Sequence, residues 1–209
     1  MLPFALLTLG AVAALLVAEW RGSRIGIWIA KPLASTGFIG AALAAGALDT
    51  SYGALVLVGL VLSWLGDVLL IPKERWAFAA GLGAFLLGHV AYLIAFLGRD
   101  PQPLVMVATG ALLLLPVVVV LRWLGPHVPE GLRMPVQAYV TVISAMLMGA
   151  SGAAFATGDF VILAGALAFY VSDLAVARQQ FVEKTVVNKL WGLPLYYGGQ
   201  LLLAWTVAG

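Results

Sequence analysis

Eight long apolar runs, separated by breaks of only four to eleven residues, leave this chain almost no freedom of fold. The runs cover residues 2–18, 25–47, 53–71, 76–97, 103–123, 134–155, 160–177 and 189–208. Inside a bilayer every backbone N–H and C=O must be satisfied without water, so only helices and closed barrels span it. Runs of 17 to 23 residues match the roughly 20 that a helix needs and are twice the length of a spanning strand. The expectation is an all-α polytopic membrane protein with eight transmembrane helices, forming one transmembrane domain over residues 1–209. Run 2–18 leads straight into further spans and reads as the first helix, not as a cleavable signal. Only 10% of residues are charged, against about 25% in soluble domains, so there is no room for a soluble domain on a single anchor.

Basic residues set the orientation. Arg21, Arg24, Lys73, Arg75, Arg122, Arg133, Arg178, Lys184 and Lys189 fall at alternate breaks, and Arg99 alone falls on the opposite side. Lys31 lies within the second run. Both termini are therefore expected to face away from the cytoplasm, in the cytoplasmic (inner) membrane if the source is bacterial. Trp20, Trp28, Trp64, Trp76, Trp123 and Trp191 lie near the proposed cytoplasmic ends and Trp205 near the far one, as interfacial indoles do. Gly59–Asp67 and Gly165–Asp173 are weakly alike, and four helices separate them. That spacing suggests a 4+4 parallel internal repeat.

Two aspartates break the apolar pattern. Asp67 and Asp173 each sit about four residues from the cytoplasmic end of a run, where an ionisable group costs about 2.5–3.5 kcal/mol on insertion scales. Each carboxylate either reaches the interface, pairing with a base such as Lys73 or Arg178, or serves a function. Ser63 shares a helix face with Asp67, and Ser172 precedes Asp173. Lys31, before Pro32, either snorkels or holds an aspartate ionised or a substrate phosphate in place. His89 shares a face with Gly81, Phe85 and Tyr92, and is either a hydrogen-bonded core residue or the mark of a polar cavity. Tyr196 and Gln200 form one stripe on the last run beside Tyr197 and Asn188, and Gln200 is deep enough to need an internal partner.

Several chemistries are excluded or left without support. The chain has no cysteine, which removes disulfides and thiol chemistry. One intramembrane histidine gives little basis for a metal, and no Gly-x-Ser-x-Gly elbow, Walker loop or dinucleotide fingerprint is present. A net charge of +2, spread over short loops, does not indicate nucleic acid.

Lys31-Pro-Leu-Ala-Ser35-Thr36, Leu62-Ser-Trp-Leu-Gly-Asp67 running on to Pro72, Gly81-Leu-Gly-Ala-Phe-Leu-Leu-Gly-His89-Val-Ala-Tyr92, Ser172-Asp173-Leu and Tyr196-Tyr197-Gly-Gly-Gln200 together resemble the YhhN, or lysoplasmalogenase, family. The Gly192-Leu-Pro-Leu195 stretch departs from that pattern. The resemblance implies an eight-helix enzyme that hydrolyses the vinyl ether bond of lysoplasmalogens to a fatty aldehyde and a glycerophospho-base, with a lysophospholipid substrate and no cofactor. It places the family's polar residues on Lys31, Ser63, Asp67, His89, Tyr92, Ser172, Asp173, Tyr196, Tyr197 and Gln200. Asp67 and Asp173 are the expected acid–base pair: two carboxyls in one apolar site naturally divide into a neutral acid and an anion. A proton-coupled transporter of lipids or small molecules is the alternative, since intramembrane Asp, Lys and His also build proton relays.

Overall fold

The structure is a computed structural model that describes all 209 residues. It holds eight α-helices and no strand: α1 (Leu2–Arg21), α2 (Arg24–Ala44), α3 (Ser51–Leu69), α4 (Arg75–Leu97), α5 (Pro103–Leu124), α6 (Glu130–Thr157), α7 (Phe160–Ala177) and α8 (Val186–Trp205). Arg178–Val182 continues α7 as one π-helical turn. Local chemistry marks the ends. Gly22 takes the left-handed conformation (φ 64°) that closes α1, and Ser23 then caps α2 by accepting the Gly26 N–H. Thr50 caps α3, and Asp159 caps α7. α6 starts at Glu130, four residues before its apolar run, because Pro129 and a polar first turn begin the helix outside the hydrocarbon.

Seven helices are long and apolar enough to cross a membrane, and the exception is α8. Its hydropathy is lowered by Asn188, Lys189, Tyr196, Tyr197 and Gln200. Four of these five are buried in the bundle and do not face outward. The molecule is an all-helical integral membrane protein.

The helices form a closed ring: α1 packs on α2, α2 on α3, α3 on α4, α4 on α6, α6 on α7, α7 on α8, and α8 back on α1 and α2. α5 lies outside and packs on α6. It is also the most apolar helix, and within it only Leu124 is buried, as suits a surface solvated by lipid tails.

In lipid, helices associate through close packing and polar contacts, so small residues dominate the seams. Ala34, Ala41, Ala42, Ala150, Ala153 and Ala154 are all buried. A Cβ on Gly59 would come within 2.5 Å of the Tyr92 ring, and one on Gly66 within 2.6 Å of the Phe85 ring. These two glycines let α4 lie close enough to α3 to bring the aromatics of the site inward.

Candidate active site

A cavity of ≈ 200 Å³ opens among the ends of α2, α3, α4, α6, α7 and α8, with Val120 and Leu124 of α5 also on its wall. Its walls are mostly apolar. They include Phe78, Leu82 and Phe85 of α4, Val136 and Ile143 of α6, and Leu193 of α8. The polar groups on the wall include Lys31, Asp67, Tyr139, Ser172, Asp173 and Tyr196. The cavity lies at the end of the bundle where the Arg- and Lys-bearing breaks cluster.

Asp67 is 2% exposed and ringed by donors. Lys31 Nζ lies 3.3 Å from Asp67 Oδ1 and donates to the Asp67 carbonyl at 3.0 Å. The Tyr196 hydroxyl donates to Oδ2 at 2.8 Å, Ser35 Oγ is in close contact with the same oxygen, and Tyr197 reaches it at 3.5 Å. The Lys31 carbonyl accepts from Tyr197 at 3.3 Å and lies 3.1 Å from Ser35 Oγ, whose one proton can serve either this carbonyl or Asp67. A buried charge is tolerable when paired and hydrogen-bonded in this way. Of the two readings of Lys31, the structure realises the pairing one.

Asp173 has a different setting. Tyr139 donates to its Oδ2 at 2.7 Å, and His89 Nε2 lies 3.7 Å from the same oxygen. The side chain keeps 17% exposure, and Asp173 lies on the cavity wall. His89 is buried against the Phe169 ring at 4.3 Å, with its Nδ1 2.7 Å from the Phe85 carbonyl. Neither aspartate meets the base nearest it in sequence. Asp67 pairs with Lys31 and not Lys73, and Arg178 instead bonds Asn188 and Glu183, both at 2.8 Å.

The remaining residues singled out from the sequence sit around this cavity at different distances from it. Ser172 is on the wall, but its hydroxyl donates to the Phe169 carbonyl of its own helix. Tyr92 donates to Gln200 Oε1 at 2.6 Å, so the deep glutamine has its internal partner, away from the cavity wall. Ser63, one turn before Asp67, is buried, and its Oγ has no hydrogen-bond partner in the protein. Tyr197 and His89 stand behind the wall and act on it through the two carboxyls.

Two participants were not singled out by sequence reasoning. Ser35 lies one turn after Lys31, within the same motif, and its spacing was the available signal. Tyr139 is a lone phenol in the sixth apolar run, a position where a hydroxyl needs a partner. Asn188 serves the architecture of the bundle. It bonds Gln179, the Glu183 carbonyl and Arg178, tying the π-helical turn to α8.

An all-helical membrane bundle enclosing an apolar cavity with two inward carboxyls defines a class: polytopic membrane proteins with an acidic site within lipid reach. Within that class the chain belongs to the YhhN family, whose model matches residues 26–207. It is 31% identical over 155 residues to lysoplasmalogenase TMEM86A of Bos taurus, an alignment covering 71% of this chain and 63% of that protein. It is 34% identical over 150 residues to a lysoplasmalogenase of Mycobacterium bovis, covering 66% and 53%. With lysoplasmalogenase TMEM86B of Sus scrofa it shares 31% identity over 157 residues, covering 75% and 65%. The chain thus spans between about half and two-thirds of the length of these relatives. No solved structure matches it.

Proposed function

We propose that the protein hydrolyses the vinyl ether bond of lysoplasmalogens, releasing a fatty aldehyde and a glycerophospho-base. The observation that carries this reading is that Asp67 and Asp173, from two different helices, share the wall of one apolar cavity. The names of the relatives agree with it.

The chemistry fits the geometry. Hydrolysis starts when an acid protonates the vinyl carbon beta to the ether oxygen, which gives an oxocarbenium ion. A carboxylate then stabilises that cation and activates water, as in glycoside hydrolysis. The resulting hemiacetal collapses to aldehyde and alcohol. The apolar wall suits the alkenyl chain. The cavity's other lysine, Lys189, stands at the start of α8 beside Glu19 (3.4 Å), at the end where the headgroup would lie.

Orientation and span count complete the proposal. With α8 held in the bilayer by its partners, there are eight spans, an even number. The nine-to-one split of basic residues then puts both termini on the non-cytoplasmic side and the cavity mouth in the cytoplasmic leaflet. If the source is bacterial, the membrane we propose is the cytoplasmic (inner) one. Asp67 and Asp173 lie near the ends of α3 and α7, the first helices of the hairpins α3–α4 and α7–α8, which supports a 4+4 repeat in these two hairpins, whereas α1 lies in the ring and α5 outside it.

The test is purified protein with lysoplasmenyl-ethanolamine, read by aldehyde release, with the ester-linked lysolipid as control. Aldehyde from the alkenyl lipid alone supports the proposal. Absence of aldehyde from folded protein refutes it.

A further inference from the structure

We infer that the two carboxyls are not interchangeable: Asp173 carries the transferable proton, Asp67 is held as the carboxylate, and His89 positions the Asp173 acid. The use of that proton rests on the hydrolytic reading above, whereas the protonation states stand on geometry alone.

Hydrogen-bond donors separate the two sites. Asp67 faces the Lys31 ammonium and accepts from the Tyr196 hydroxyl, with Ser35 Oγ in close contact with the same oxygen. A proton on this carboxyl would forfeit the ion pair and leave the buried Lys31 ammonium without its counter-charge. Asp173 has a single donor, Tyr139, and no lysine or arginine within 4 Å. Its other neighbour is an acceptor. The Phe85 carbonyl can only accept, so in the neutral ring, the form its burial against Phe169 favours, His89 Nδ1 carries the hydrogen and Nε2 presents a lone pair toward Asp173. That Nε2 is buried and has no partner in the protein. An ionised Asp173 would set two lone-pair atoms against each other in a space walled by Phe169 and Tyr139. A neutral carboxyl, with Oδ2 as its carbonyl oxygen, takes the negative charge off that contact. Tyr139 occupies Oδ2, so the other carboxyl oxygen is left to offer its proton to the cavity.

The cycle then balances. The Asp173 O–H bond breaks as the C=C electrons form the new C–H bond, and the ether oxygen takes up positive charge facing Asp67. Water bonds the cationic carbon and gives one proton to Asp67. As the hemiacetal C–O bond breaks, Asp67 returns that proton to the departing glyceryl oxygen. Asp173 takes the hemiacetal hydroxyl proton as the aldehyde forms. Both carboxyls are restored, and one water is consumed.

Infrared difference spectroscopy of the purified protein tests the assignment without any substrate, because only a protonated carboxyl gives a carboxylic C=O stretch. At neutral pH the expected result is one such band, lost in Asp173→Asn and retained in Asp67→Asn. Should either asparagine variant fail to fold, Tyr139→Phe carries the test. It removes a bond that touches Asp173 alone and should move the band to higher wavenumber. His89→Phe should also shift the band, and His89→Gln, which again offers an acceptor, should return it. A band that vanishes with Asp67, or no carboxylic band at all (as an imidazolium–carboxylate pair would give), overturns the assignment. A band indifferent to His89→Phe overturns the positioning role. If the band behaves as expected but no alkenyl lipid is cleaved, the hydrolytic reading fails and the assignment stands.

Discussion

Replacing Lys31 with methionine keeps the length of the stem and removes the only cation against Asp67. The ammonium and Oδ1 are 3.3 Å apart. At an effective dielectric constant near 20 their attraction is about 5 kcal/mol. Removing one partner of a buried pair costs about 3–5 kcal/mol, because the other charge is left behind. Ser35 and Tyr196 still donate to Asp67 in the variant, which sets the expected loss at the low end, about 3 kcal/mol. In a chain of this length 1 kcal/mol moves Tm by about 2–4 °C, so Lys31→Met should lower it by about 6–12 °C. Adding Asp67→Asn removes the orphaned charge. The double variant should therefore be more stable than the two single losses predict, by at least about 2 kcal/mol. Thermal unfolding in detergent, followed by tryptophan fluorescence over the four proteins of the cycle, measures this coupling. Additivity within about 0.5 kcal/mol, as for sites that do not touch, would refute the buried pair.

Three further outcomes follow from the structure. Asp67→Asn and Asp173→Asn should each reduce aldehyde release from an alkenyl lysolipid by about 10²–10⁴-fold, the usual worth of a general acid or base, with an unchanged size-exclusion profile. Gly59→Val should lower Tm by the equivalent of about 1–3 kcal/mol, because its Cβ would meet the Tyr92 ring at 2.5 Å. Gly83→Val, with nothing within 4 Å of its Cβ, should leave the α3–α4 seam undisturbed. Asn188→Ala removes three of the bonds that hold the π-helical turn, so hydrogen exchange of residues 178–185 should speed up while that of α4 is unchanged.

Lipid made the helices legible. Each apolar run falls on a helix, and run 160–177 coincides with α7, because a bilayer leaves a backbone few alternatives. The boundaries that drifted lie outside the hydrocarbon, where hydropathy carries no signal. α6 begins in the polar stretch Glu130–Arg133, and the chain after Ala177 continues as a π turn. The site was legible as residue types and not as pairs. Asp67, Asp173, Lys31, His89, Tyr196 and Gln200 stand out because each is costly in lipid. Their partners depend on which helices become neighbours, and α4 packs on α6 while α5 stays outside. That order brings Tyr139 and His89 together at Asp173, and no local spacing encodes it. Lys73 and Arg178 were nearest to the aspartates in sequence, but Lys73 lies in the turn after α3, and Arg178, in the π-helical turn, is engaged by Asn188 and Glu183.

The modest hydropathy of α8 has a consequence for how the protein is made. During translation the first seven helices can enter the bilayer on their own apolarity. If α8 spans as proposed, it is recruited by surfaces that the earlier helices already present. Until it docks, Asp67 lacks the two phenols that complete its shell, and the bundle has an open seam between α7 and α1. On the eight-span reading proposed above, the pocket is complete only once α8 has docked.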